Sequence, residues 1–404
     1  MLGFREKFES FSFMSDSIRL GLIGCGGRLT HVVRLLCTSN PGIRVVALCD
    51  PSELAVSRCR EALRDPAIRV HETAESLCKA TDVDWVAVGS WNSLHADHVV
   101  AAWRAGKRVF CEKPLATSLE DCVRLIGEQR RLHGELTLGL VLRYAPFYQR
   151  IRELVQQGAL GQLMSFEFNE TLDYQHGGYI AGDWRRWRAN AGTHVMEKCC
   201  HDLDLSNWIT GSLPVRAASF GGLSFFRPEN AGRVEAVGPD AEGRPAYMSW
   251  QDSGIYTSEN RLNPFLADKD IFDHQVAILE YASGARATFH TNLNSALPER
   301  RMYLCGTEGG LRGDVLTGEI VWKRIGPETE THRESYPSGG HGGADKVLAA
   351  GWADVMMRDA KPLAGLREGL ASAIAALGID EAADTGTVCD LRPMWAKVGM
   401  ADAV

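Results

Sequence analysis

From Ile18 to about Leu140 one pattern repeats: a short, almost uninterrupted apolar run, then an amphipathic stretch. The runs are Ile18–Gly24, Val45–Asp50, Asp84–Gly89 and Arg108–Cys111. Strands apolar on successive residues need cover on both faces, as in a parallel sheet sandwiched between helices. The intervening stretches Ser52–Leu63, Ser93–Ala105 stopped by Gly106, and Thr117–His133 read as helices, the last opening with Thr117-x-x-Glu120, the form of a capping box. Strand alternating with helix predicts a doubly wound α/β domain.

Past about Arg143 the segments lengthen and alternate. Leu163–Thr171 reads as a strand, and Gln275–Tyr281 with Ala285–Leu293 reads as an antiparallel hairpin turning at Ser283-Gly284. Such a sheet has one face covered and the other available to a partner. Residues 227–270 are polar and without period, the mark of a functional, interfacial or mobile segment, whereas Ala344–Met357 and Leu366–Ala383 are helical. The 404 residues exceed what one core usually organises, so two domains are expected, 16–142 and 143–404.

A net charge of -7 speaks against a nucleic-acid partner. There is no apolar stretch of membrane-spanning length, and the N-terminal MLGFREKFESFSFMSDS lacks a signal-peptide core. Eleven cysteines, an odd number with no Cys-x-x-Cys, suggest neither a disulfide framework nor a zinc ribbon. The expectation is a cytoplasmic protein with no membrane partner.

The first strand runs through Gly24 into Cys25-Gly26-Gly27-Arg28-Leu29 and then a helix. Gly24 permits the tight turn, and Gly26 lets backbone amides approach a pyrophosphate at the positive end of the helix. Leu29 stands where the dinucleotide fingerprint has glycine or alanine. Asp50, 24 residues beyond Gly26 at the end of the next strand, is placed to bind an adenosine ribose and repel a 2'-phosphate, or else is a turn residue before Pro51. NAD is therefore favoured, with NADP possible through Arg28 and Ser52.

The strand Arg108–Cys111 delivers Glu112-Lys113-Pro114 to the sheet edge where ligands bind, and Ser90-Trp91-Asn92 with His95 occupies the loop after the strand before it. A lysine there can hold a substrate hydroxyl, though on the tripeptide alone a surface lysine in a proline turn explains it better. GLIGCGG, SWNSLHADHVVAAWRAGKRVFCEKPLA and AGTHVMEKCCHDLDLSNWITG together resemble the Gfo/Idh/MocA oxidoreductase family over most of the chain. The resemblance implies an N-terminal Rossmann domain followed by an α+β domain with a large open, mostly antiparallel sheet. It implies a homodimer or homotetramer, and chemistry on a sugar, inositol or related polyol.

The family lysine maps onto Lys113, followed by a Pro114 that is often cis in such folds. Where the family usually has Asp-x-Gly-x-His, this chain has Glu197-Lys198-Cys199-Cys200-His201. On one helix, Glu197 and His201 fall on the same face, with His201 as general base and Glu197 contacting substrate or orienting the ring. Without the resemblance they would read as a solvated helix pair. The resemblance also implies cofactor contacts from Glu112, from Tyr144 at the domain join, and from Trp184 and Arg185, although a core tryptophan with surface arginines explains the last pair almost as well. Trp184, Asp273, His274 and His341 are candidates for substrate, although the last three serve equally well as cap and turn residues. No metal site is expected, because adjacent Cys199, Cys200 and His201 point apart on a helix. The expected activity is an NAD(P)-dependent dehydrogenase moving a hydride between nicotinamide and a hydroxyl-bearing carbon. The alternatives are an NAD-dependent glycoside hydrolase using transient sugar oxidation, and a non-catalytic dinucleotide sensor.

Overall fold

The computed structural model describes residues 17–249 and 262–404. Six parallel strands, β1 (Ile18–Ile23), β2 (Ile43–Cys49), β3 (Arg69–Val70), β4 (Trp85–Val88), β5 (Arg108–Cys111) and β6 (Leu136–Leu138), lie in the order β3-β2-β1-β4-β5-β6. The order reverses between β1 and β4, which opens a crevice at the carboxyl ends of those strands. The central strands are buried throughout β4 and nearly so in β5, as their unbroken apolar runs require.

Helix starts shift slightly from the sequence expectation. Ser52 caps the helix Glu53–Leu63, its hydroxyl accepting from the Ala55 amide at 3.2 Å. Thr117 does not cap: Ser118 does, accepting from the Asp121 amide at 3.1 Å, so the helix is Leu119–Leu132. Two hydroxyl-x-x-acid pairs overlap in the sequence, and the backbone leaves the extended conformation only after the second hydroxyl. Ser93–Ala105 divides into a 3-10 turn, Asn92–Leu94, and a helix, His95–Arg104.

Nine further strands form the second sheet: β7 (Leu163–Thr171), β8 (Pro214–Gly222), β9 (His274–Tyr281), β10 (Arg286–Asn292), β11 (Arg301–Gly306), β12 (Gly309–Asp314), β13 (Glu319–Arg324), β14 (Thr331–Ser335) and β15 (Cys389–Asp390). Their order is β14-β13-β12-β11-β7-β10-β9-β8-β15; β7 and β10 pair in parallel and the other neighbours antiparallel. The β9–β10 hairpin turns at Gly284, whose φ of 89° suits glycine. Ala277, Leu279 and Phe289 point into the core, while Phe220, Val276 and Ile278 on alternate positions face outward and exposed.

The helices Cys200–Thr210 and Leu366–Thr385 cover the inner face of this sheet, and the helix Ala344–Arg358 returns to the first domain, stacking Trp352 on Phe110 of β5 at 4.0 Å. The irregular stretch after residue 227 builds a small core of its own. Phe226, Tyr247 and Phe265 pack against Tyr179 and Ile180 of the helix Tyr174–Gly182. Part of that stretch, 250–261, lies outside the described residues, as does the N-terminal segment 1–16. Among the described residues no helix is long and apolar enough to cross a membrane.

Candidate active site

A cleft of about 1400 Å³ runs from the carboxyl ends of β1, β2, β4 and β5 to the segment 170–201. Single-ligand pockets usually measure roughly 300–1,000 Å³, so a dinucleotide and a second molecule fit together. The glycine turn forms one end. Gly24 has φ 88°, and a Cβ there would lie 2.5 Å from the backbone of Gly89 and Ser90, so no other residue fits. A Cβ on Gly26 would meet nothing nearer than Gly89 O at 3.9 Å, and the helix Gly27–Ser39 starts at Gly26 without a side-chain cap. Its first amides are thus left to an anion in the cleft, as a pyrophosphate requires.

Leu29 departs from the fingerprint without cost to packing. It is buried against Gly89, where a Cβ would come within 2.7 Å of it, so the small residue has moved from helix to strand end. Asp50 accepts from the Cys25 amide at 2.7 Å and from the Ser52 amide at 2.8 Å, bracing the turn while lining the cleft. Arg28, read from sequence as a contact for a 2'-phosphate, is ion-paired with Asp345 at 2.6 Å and Glu112 at 3.3 Å.

The Lys113-Pro114 bond is cis. Buried His95 holds this turn, with Nδ1 2.7 Å from the Pro114 carbonyl and Nε2 3.1 Å from that of Ser90. Burial outweighs the two carbonyls and pushes its imidazole down to about 4, so the ring stays neutral and donates to one of the two. Asn92 gives its amide to the Ala191 carbonyl at 2.9 Å, and Trp91 stacks on Trp184 across the cleft at 5.5 Å. The Lys113 ammonium donates to the Glu197 carbonyl at 2.5 Å and lies 3.6 Å from its carboxylate. Burial is the largest influence and opposes the Lys113 charge, but Glu197, Cys200 and Glu112 together outweigh it and the net shift is upward. Lys113 is a donor at neutral pH.

Glu197 and His201 do not share one continuous helix. The chain forms a short turn, His194–Glu197, and restarts at Cys200, with Cys199 at φ -86° and ψ 0°. Both side chains still line the cleft. Burial raises the Glu197 carboxyl, yet Lys113, Arg185 and Lys198 bring it down to about 2. His201 is buried, and burial together with the charges of Lys113, Arg300, His341 and Lys198 holds its imidazole well below the usual histidine range. A neutral imidazole beside a fixed ammonium can take a proton from a hydroxyl that the ammonium holds.

Several expected contacts are spent elsewhere. Arg185 lines the cleft while its Nε donates to Glu197 at 3.0 Å and its Nη1 to Asp183 at 3.2 Å and to the Tyr179 hydroxyl. Tyr144 is buried against Gly351 and absent from the cleft; the join between domains turns it into the core. Asp273 accepts from the amides of Ser224, Phe225 and Phe226, and His274 caps its other side at 2.8 Å; both lie outside the cleft, anchoring a loop. His341 does reach the cleft.

The structure adds groups the sequence did not single out. Glu170 of β7 pairs with Lys198 at 3.2 Å and with Arg300 at 3.0 Å, and Arg300 also grips Asp202 at 2.8 Å. Lys198 lies between Glu197 and Cys199 in the Glu197–His201 segment, which is its sequence signal; Glu170 and Arg300 carry none. Glu170, Cys199 and Asp202 place ligand atoms within 4.8 Å of one another, but Arg300 already supplies the cation between the two carboxylates.

Residues 18–140 match the model of an oxidoreductase family with an NAD-binding Rossmann fold, and residues 148–312 match the GFO/IDH/MocA C-terminal domain. The chain belongs to the Gfo/Idh/MocA oxidoreductase family. Among curated members of that family, YteT of Bacillus subtilis is 25% identical over 343 residues, covering 74% of this chain and 79% of YteT. Inositol 2-dehydrogenase 3 of Saccharopolyspora erythraea is 36% identical over 146 residues, covering 36% of this chain and 42% of that protein, less than half its length. A scyllo-inositol dehydrogenase from Lactobacillus casei, solved with NAD(H) and scyllo-inositol, superposes with a TM-score of 0.70 at 18% identity over 93% of this chain and 99% of its own. The Gfo/Idh/MocA architecture, a Rossmann sheet followed by a mixed and mostly antiparallel one, is therefore established for this protein.

Proposed function

We propose that this family member is a dehydrogenase that oxidises a hydroxyl-bearing carbon of a cyclic polyol or sugar, with NAD preferred. The observation carrying the reading is that Lys113, from the Rossmann sheet, and His201, from the second domain, line one cleft with the glycine turn. After burial, the Lys113 charge acts most strongly in holding the His201 imidazole down. The inositol dehydrogenases among its relatives support the substrate class. The dinucleotide, when bound, supplies the redox chemistry. Lys113 donates to the substrate oxygen, His201 accepts the hydroxyl proton, and Glu197 fixes the lysine. Asp50, at the end of β2, disfavours a 2'-phosphate. The exposed apolar positions Phe220, Val276 and Ile278 support a homo-oligomer formed through the outer sheet face.

The test is a panel of inositols, pyranoses and glycosides offered with NAD and NADP, followed by reduced-nicotinamide absorbance. Stoichiometric reduction with one of them is the expected result. Product formed with no net reduction would instead indicate hydrolysis, and no turnover would overturn both readings.

A further inference from the structure

We propose that His341, backed by Asp345, carries the proton from His201 out to solvent. This rests on the dehydrogenase reading. In that reaction the substrate O–H bond breaks and its proton passes to His201. The C–H hydrogen leaves with its electron pair to the dinucleotide, and a carbonyl forms. His201 must then shed a proton in every turnover, although it is only 4% exposed and its Nδ1 has no hydrogen-bond partner among the described residues.

The charged groups around His201 are cationic or already paired. Lys113, Lys198 and Arg300, from three separate segments, are cationic. Glu197 is committed to Lys113 and Arg185, and Glu170 to Lys198 and Arg300. Burial and Glu170 raise the Asp202 carboxyl to about 8, but Arg300 occupies both of its oxygens. His341 differs. Its ring lies 6.5 Å from that of His201 at 61°, a separation one water bridges.

Asp345 sets its tautomer. Nδ1 of His341 lies 3.2 Å from the Asp345 carboxylate, which needs a donor, so Nε2 is left as the proton acceptor. The same carboxylate stabilises the imidazolium once it forms, as in other histidine–carboxylate pairs. Arg28 holds the other Asp345 oxygen at 2.6 Å, and burial together with Arg28 and Lys198 outweighs Asp345, so the His341 imidazole lies below the usual histidine range, though not as far down as that of His201. Beyond Asp345 stands His31, with Nε2 at 4.0 Å and a side chain 43% exposed, at the end of the line in solvent.

In stopped flow with a pH-indicator dye in weak buffer, the wild type should release its proton in step with reduced-nicotinamide absorbance. In His341→Gln proton release should lag behind that variant's own first-turnover absorbance by about tenfold, whatever the rate of the absorbance itself. In His341→Gly, added imidazole should shorten the lag, which a purely structural role would not allow. Proton release that keeps pace in His341→Gln overturns the proposal, and so does a lag that imidazole leaves unchanged. Nitrogen-15 NMR of the histidines, which needs no substrate, should show His341 protonated on Nδ1, and on neither nitrogen preferentially in Asp345→Asn. The Nε2-protonated form in the wild type overturns the relay by itself. A wild type that reduces no dinucleotide with any substrate sinks the dehydrogenase reading instead, and the tautomer still decides the relay.

Discussion

On the Rossmann wall of the cleft the working surface is backbone: Gly24, Gly26 and the uncapped amides opening the helix Gly27–Ser39. On the facing wall it is charge, with Lys198, Arg185 and Arg300 each neutralised by Glu170, Glu197 or Asp202. A backbone surface recognises an invariant phosphate chain by shape and dipole, so sterics decide which residues it tolerates. A buried ion network fixes directions and protonation states, and losing one partner strands a charge out of water. Lys113 belongs to the first wall by its strand and to the second by its partner.

That makes Lys113 the sharpest place to separate the walls. Lys113→Ala should lower turnover about a thousandfold while leaving dinucleotide affinity, read by fluorescence titration, little changed. A large loss of affinity instead would mean the walls are not separable. The glycines probe the backbone wall. Gly24→Ala combines a φ of 88° with a 2.5 Å contact and should cost about 2 kcal/mol or more in chemical denaturation. Gly26→Ala brings its methyl no nearer than an ordinary 3.9 Å contact with Gly89 O and should leave the melting temperature alone yet weaken dinucleotide binding. Equal stability losses in the two would undo the distinction.

Asp50→Asn removes one negative charge from the backbone wall, and the ratio of NADP to NAD efficiency should rise about tenfold. The smallest effect is in pH. His95 and His194 are held down to about 4 by burial, against an ordinary value of 6.5. Between those values the unfolded chain binds more protons than the folded one, so stability is full above about 6.5 and declines as the pH falls toward 4. Melting curves across that range should show the decline, and it should shrink in His194→Asn.

How much of this was legible depended on whether the signal was local. The four apolar runs became β1, β2, β4 and β5, because burial on both faces writes itself into consecutive residues. β3 is two exposed residues at the sheet edge and left no mark. The capping box slipped by one residue because two overlapping hydroxyl–acid pairs satisfy the same spacing. Glu197 and His201 reach one cleft as their spacing suggested, but through a broken helix. Asp273, His274 and Tyr144 have the right chemistry in the wrong direction: a carboxylate gathering loop amides, its histidine neighbour, and a phenol pushed up to about 12 by burial in the core.

The sequence by itself determined the strand–helix alternation, the glycine turn, the position of Lys113 at a strand end, and through these the family. Each is a matter of neighbours within a few residues, where covalent spacing fixes geometry. Only the tertiary structure decided that Gly89 makes room for Leu29, that Arg28 turns to Asp345, that Glu170 and Arg300 meet beside Lys198, and that His341 arrives from a distant segment to face His201. Those contacts join residues far apart in the chain, and their directions are set by packing and by the pairing of charges withdrawn from water, which no local pattern encodes.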